Sequence, residues 1–409
     1  MYEYTPWKFF RFRISFLWLF ILINLGNTQA QHTKVLTMED AVRQVIESNP
    51  LAKNAVLKTE ASSLDEGTTL LKEPMQLTYA IGQTPGNLKS ELWQVEQPLG
   101  SVFTQNEWNN YHRKINQHAE AQQKMILSQL RAETKRTYTE WLYNQVKTRL
   151  LQKTLDLISL FEDSTGLPAG KNDTASFTLM EIQTHYASLQ NQLFQSQQDI
   201  IQSGRKLFQL MATQDTYLPA DTTLELYSIQ PARGGEDKFY PARSMELYQS
   251  NVLVQKEKIG VEKSTFFPEL SIGYFNWNVT QNYHFQGFQL GMTLPVWYYP
   301  NVQKVKQAKL LAQMAQNEAD EQESSLKTKI DNLRTQLDKI FVEISYYREN
   351  ALRLAEMQDE RAVKAMSREQ EGFDRYIQDM EQSLQTKLNY LEAVKSYNMA
   401  AIELEFYIE

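Results

Sequence analysis

Past Pro300 the chain keeps one apolar stripe for a long distance. Ala308, Ala312, Ala315, Ala319, Leu326, Ile330, Leu333, Leu337, Ile340, Ile344, Tyr347, Ala351 and Leu354 recur at spacings of four and three, with Gln322 in step. A repeat near 3.5 residues held this long predicts a coiled-coil seam. A helix from Asn301 to Met366 would be a rod on the order of 100 Å long. A looser seam through Leu130, Trp141, Leu151, Leu155 and Ile158 predicts a second long helix over about 106–161. Leu179, Ile182, Tyr186, Leu189, Leu193, Ser196 and Ile200 predict a third over about 174–211. Ile377, Met380, Leu384, Leu391, Val394 and Ala401 predict a last one over about 373–406. Thr37 with Asp40 three residues on marks a helix start, Asn49-Pro50 breaks that helix, and a further one follows from Leu51 to Lys72. Residues 243–263 are also helical in pattern, and 31–36 form a polar lead-in.

Two stretches switch to a period of two. Leu77, Tyr79 and Ile81 alternate with polar or small residues. After the turn chemistry of residues 83–87, Trp93 and Val95 alternate with Gln94 and Glu96. The second stretch spans 269–296. Phe275, Trp277 and Val279 share a parity with Ser271 and Gly273, opposite Asn276 and Asn278. On the return, Phe288, Leu290, Met292 and Leu294 alternate with Gln289, Gly291 and Thr293. Residues 270–296 contain no Asp, Glu, Lys or Arg, in a chain that is 22% charged. A soluble sheet on a core also alternates, but the missing charge favours strands between lipid and water. The expected lipid-facing set is Phe275, Trp277, Val279, Phe288, Leu290 and Met292.

The order helix, hairpin, long helix, turn, long helix occurs twice. Pro98 and Pro295 are 197 residues apart, as are Leu207 and Leu404. The chain is therefore read as a duplication. Residues 31–212 form the first repeat, with its β-hairpin at about 76–97, and 244–409 the second, with its hairpin at 269–296. Residues 213–243 are a connector rich in Pro and Gly. The fold class is mainly α with a small β part.

Composition narrows the setting. Only 15 glycines and 12 prolines in 409 residues leave few turns, and a mean hydropathy of −0.51 excludes a bundle of membrane-spanning helices. The absence of cysteine excludes disulfides, thiolate metal sites and a lipidated N-terminal cysteine. Lys8, Arg11 and Arg13 precede an apolar run from Ile14 to Leu25, and Thr28-Gln29-Ala30 ends it. This is a signal-peptide pattern, with cleavage expected near Ala30. Loss of residues 1–30 removes three basic residues and Glu3, so the net charge falls from −7 to −9. That balance argues against nucleic acid as a partner.

Four strands cannot close a barrel, and lipid does not tolerate open sheet edges. Other copies must complete the sheet, and three copies supply about twelve strands. The duplicated order of elements, the segment Phe288 to Val296 leading into a long helix, its counterpart Glu96 to Leu99, and the segment Leu388 to Asn398 together resemble the TolC family of outer-membrane efflux proteins. The resemblance implies a homotrimer with a 12-stranded β-barrel in the lipid of the outer membrane and a trimeric α-barrel tunnel through the periplasm. It implies docking to a periplasmic adaptor and an inner-membrane pump. The chain would then be the exit duct of a tripartite efflux pump, a passive conduit without cofactors. Residues Gln97 to Thr104 resemble the outer-membrane subunits of heavy-metal efflux systems, while drug-like molecules and polypeptides remain open as cargo.

No catalytic constellation stands out. His32, His112, His118, His185 and His284 are scattered, and His112 and His118 do not share a helix face. The acidic turn before the last helix, with Glu369, Glu371 and Asp374 against Arg368 and Arg375, is the candidate periplasmic gate; ordinary turn solvation is its plain alternative. Two rival readings belong to other classes. A periplasmic adaptor would carry one helical hairpin flanked by soluble β-domains, and a structural coiled-coil protein of an envelope complex would lack the neutral strands.

Overall fold

The computed structural model describes residues 34–65, 74–84, 88–164, 173–229, 243–279, 283–296, 298–366 and 373–408. The segment read as a signal peptide lies outside them. The chain opens with strand β1 (Lys34–Leu36) and helices α1 (Met38–Ser48) and α2 (Pro50–Asp65). Thr37 caps α1 by accepting from the Asp40 amide. Asn49 ends it and turns the chain, accepting from Leu51 N and donating to Leu210 O. Strands β2 (Gln76–Thr84) and β3 (Leu88–Gly100) form the first hairpin. Gly100, at φ +66°, adopts the left-handed turn that redirects β3 into helix α3 (Val102–Ser164).

Helix α3 has 63 residues, about 95 Å at 1.5 Å each. Helix α4 (Asp173–Leu210) returns along it. The second repeat runs through α5 (Arg243–Ser264), β5 (Glu269–Val279), β6 (Tyr283–Thr293), α6 (Tyr298–Tyr346), a π-helical turn (Tyr347–Ala351), α7 (Leu352–Met366) and α8 (Phe373–Ile408). The predicted seam of α6 is buried from Ala308 to Ile344. Beyond it the stripe moves by one residue. Ala355 and Ala362 are buried, while Leu354 is 59% exposed. A π turn holds one more residue than an α turn, so every later side chain is displaced around the axis. The expectation for Leu354 is corrected accordingly.

The lead-in and the connector also differ from expectation. β1 pairs in parallel with a three-residue strand, β4 (Tyr217–Pro219), in register from Lys34↔Tyr217 to Leu36↔Pro219. Such short strands carry no period for a sequence to reveal. They close a waist where both repeats meet. Trp141, Tyr138, Leu207, Met211, Tyr217 and Leu36 share one core with Val45, Ile344 and Val394. The Tyr138 hydroxyl donates within 3.0 Å of Leu36 O and of Asp221. Burial, and then the Asp221 charge, hold this phenol above its ordinary pKa. Asn398 ties the segment after β4 to α8 through Tyr227 N and Glu225 O. Lys135 bridges to Glu405 at 2.5 Å and Tyr227 at 2.7 Å. Burial opposes its charge, but these partners outweigh that cost and raise its pKa.

Away from the strands, the two helical hairpins pack on each other. Leu151, Leu155, Ile158, Leu189 and Leu193 of the first meet Ala362, Tyr376, Ile377, Met380 and Leu384 of the second. On the strand side of the waist, Met245 of α5 and Leu326 to Leu337 of α6 pack with Ala400, Ala401 and Leu404 of α8.

Candidate functional site

The two hairpins form one antiparallel sheet in the order β2-β3-β5-β6. The central pair, β3 with β5, joins the repeats from Ser90↔Val279 to Pro98↔Ser271, with an irregularity before Gly100↔Leu270. The helices leave one end of this sheet, and the strand ends that flank both hairpin connections, Thr84 with Leu88 and Val279 with Tyr283, lie at the other.

Residues opposite each other in an antiparallel pair project to the same side. The register therefore assigns every side chain to a face. One face carries Leu77, Tyr79 and Ile81 of β2, Trp93, Val95 and Gln97 of β3, Leu270, Ile272 and Tyr274 of β5, and Phe288, Leu290 and Met292 of β6, while Leu99 falls at the irregularity of β3. Ring contacts confirm the assignment: Tyr79 lies 4.4 Å from Trp93 and Tyr274 lies 5.7 Å from Phe288, centroid to centroid. Phe288 and Leu290 are 84% and 85% exposed, and all the others except the half-buried Val95 and Gln97 are exposed too. Such a largely apolar wall marks a surface that another apolar phase covers. From Phe288 to Leu294 it is about 20 Å tall at about 3.3 Å per residue. Towards the hairpin connections this face turns polar, with Gln83, Lys89, Glu91, Asn276, Asn278, His284 and Gln286. The boundary is oblique. The apolar run reaches Ile81 on β2, Trp93 on β3 and Tyr274 on β5, one further residue pair back at each step.

The opposite face is more enclosed on β3 and β5: Ser90, Leu92, Gln94, Glu96 and Phe275 are half-buried and Gly273 and Val279 are buried, while Trp277 keeps 39% of its surface exposed. Near the helices it is polar, with Gln76, Thr78, Gln94, Glu96, Ser271 and Gln289. Gln94 donates to Gln289 at 3.2 Å and lies 3.4 Å from Glu96. Towards the hairpin connections it carries Leu92, Phe275, Trp277, Val279, Tyr283 and Phe285.

The six residues expected to face lipid thus divide between two sides. Phe288, Leu290 and Met292 are on the exposed apolar wall. Phe275, Trp277 and Val279 are on the enclosed face, and Asn276 and Asn278 are on the wall side instead of opposite it. The cause is a change of parity inside single strands. In β5 the apolar residues are even-numbered up to Tyr274 and odd-numbered from Phe275. In β6 they are odd-numbered to Phe285 and even-numbered from Phe288. Leu270, Ile272 and Tyr274, whose alternation is visible in the sequence, join the wall beyond the expected set for the same reason.

The candidate gate residues Arg368, Glu369 and Glu371 lie outside the described residues, and of Asp374 and Arg375 only the backbone, at the start of α8, is described. His112 stacks on Trp108 at 5.5 Å and meets Tyr111 edge-on. His118 pairs with Ser250 at 2.9 Å, and burial, the larger cause, lowers its pKa. Among the described residues no helix is long and apolar enough to cross a membrane.

Comparison with solved structures places the whole fold. CusC, studied for its folding and transmembrane channel formation, superposes with a TM-score of 0.75 at 13% identity, over 92% of this chain and 93% of that one. The MtrE outer membrane channel of Neisseria gonorrhoeae gives 0.73 at 15% identity, over 91% and 88%. The outer-membrane channel OprN gives 0.72 at 14% identity, over 91% and 90%. No family model matches the chain, and no curated protein matches it in sequence. The architecture is shared end to end while the side chains are almost wholly different, and the chain has the fold of the outer-membrane channels of the TolC family, which its sequence resembles.

Proposed function

We propose that three copies of this chain assemble into an outer-membrane efflux duct. The observation that carries this reading is the sheet: near the helices one face is a mostly exposed apolar wall broken by Gln97, the other is largely polar, and β2 and β6 are edges without a neighbour among the described strands. Backbone groups on such edges cost several kcal/mol each in hydrocarbon, so the sheet must close with copies of itself. Three four-stranded sheets make a 12-stranded barrel. The oblique boundary of the wall supports closure, because barrel strands tilt and a membrane surface then cuts across the hydrogen-bonded rows.

The helices continue the enclosed face as a tunnel through the periplasm. Its far end meets a periplasmic adaptor and an inner-membrane pump, and the duct passes cargo without chemistry of its own. The acidic turn from Arg368 to Arg375 closes that end at rest. The solved structures named as outer-membrane channels support this assignment through the common fold. The test is the mass of the detergent-solubilised protein. Three chains per particle are expected; a stable monomer would remove the basis for the barrel.

A further inference from the structure

We infer that the enclosed face of the sheet carries an aromatic collar at the end of the duct remote from the helices, and that this collar binds organic aryl cations. The inference rests on the duct reading and adds a binding site to it. Polarity inverts along the strands. Near the helices the sheet is apolar on its exposed face and polar on its enclosed face. Near the hairpin connections it is the reverse: Lys89, Glu91, Asn276, Asn278 and His284 stand on the outer side, and Leu92, Phe275, Trp277, Tyr283 and Phe285 on the inner. Leu92, Trp277 and Phe285 lie in one row across β3, β5 and β6.

The cluster is built. Trp277 and Phe285 are 5.9 Å apart between ring centroids, and Trp277 Nε1 donates to Ser90 Oγ at 2.7 Å, which fixes the indole. Phe275 lies across Gly287 so closely that a Cβ there would sit 3.0 Å from the ring and would have to push it aside. Trp277 keeps 39% of its surface exposed, Phe285 50% and Tyr283 60%. These rings are held, and they remain open on one side.

Charge selects the occupant. Among the described residues of the enclosed face the charged ones are Glu96 and Glu269, both acidic, with no Lys or Arg. Carboxylates below and ring quadrupoles above both favour cations. A small hydrated metal ion gains little from an aromatic face, whereas an aryl cation both stacks and is attracted electrostatically. The ligand class is therefore an organic aryl cation.

The test uses the full chain in planar bilayers, with tetraphenylphosphonium and hexaamminecobalt(III) as blockers. Tetraphenylphosphonium should interrupt the current, and the double variant Trp277→Leu/Phe285→Leu, which keeps apolar bulk, should need about ten times more of it. Hexaamminecobalt should act on both proteins alike. The smaller Trp277→Ala/Phe285→Ala pair should also raise the unblocked conductance, because the collar narrows the path. Equal sensitivity of the parent and the leucine variant to tetraphenylphosphonium overturns the inference while the duct stands. So does an equal loss of sensitivity to both blockers. A detergent-solubilised protein that stays a stable monomer overturns the duct reading and the collar with it.

Discussion

Leu290 and Gln289 are neighbours in β6 whose side chains leave the sheet on opposite sides. Leu290 is 85% exposed in the middle of the apolar wall, whereas Gln289 bonds to Gln94 on the enclosed face. Leu290→Arg is expected to cost roughly 2–4 kcal/mol of assembly stability if the wall faces lipid, and Gln289→Arg about 0–1 kcal/mol. Denaturant titration of the folded assembly in detergent or lipid measures both. Equal tolerance at the two positions would mean that the wall does not meet a bilayer. The same pair shows what was legible at this scale. The parity of Phe288, Leu290 and Met292 could be read from the sequence, and it holds. The parity of Phe275, Trp277 and Val279 could be read equally well, but not the side it corresponds to. A strand read alone gives two faces and no labels; cross-strand pairing supplies them. The register puts Phe275, Trp277 and Val279 on the face opposite Phe288, Leu290 and Met292, because each strand changes parity along its length.

The long helices were legible because their signal is repeated. From Ala308 to Ile344 every expected apolar seam position is buried, and one misassigned residue could not have changed that outcome. What escaped was local. The β1–β4 pair is three residues long and depends on a partner about 180 residues away. The π turn at Tyr347–Ala351 leaves no mark on composition, since it is one extra residue in a helix that continues on either side. Its effect is nonetheless specific, and it predicts an asymmetry. Deleting Glu349 should return the segment to α geometry and keep Ala355 and Ala362 inward, because it removes the one-residue offset. Inserting an alanine at the same point should turn the stripe by about 100° and expose both. Amide exchange along α7 distinguishes the cases: protection should persist or rise in the deletion and fall sharply in the insertion. Protection lost equally in both would show that the π turn itself is needed to hold the two hairpins together.

At the scale of the molecule, the duplication was legible in a constant displacement of 197 residues, and the sheet shows what it achieves. Each repeat supplies one hairpin, and β3 with β5 welds the two into a continuous wall. Each repeat also supplies two long helices, and those run to an end about 100 Å from the strands. The proposed duct would be shut at rest where its helices can converge, at that free end. Arg368, Glu369 and Glu371 stand between α7 and α8, and Asp374 and Arg375 follow at the start of α8. Three copies would bring nine carboxylates and six guanidinium groups near one axis. Repulsion among the carboxylates alone favours opening, so closure depends on the arginines. Arg368→Ala combined with Arg375→Ala is therefore expected to raise conductance in planar bilayers. Neutralising Glu369, Glu371 and Asp374 together is expected to lower the preference for cations. Contact with an adaptor would act on the same balance, by offering the carboxylates other partners. If conductance and selectivity are the same in both variants and the parent, the turn is ordinary solvated surface and the duct closes elsewhere.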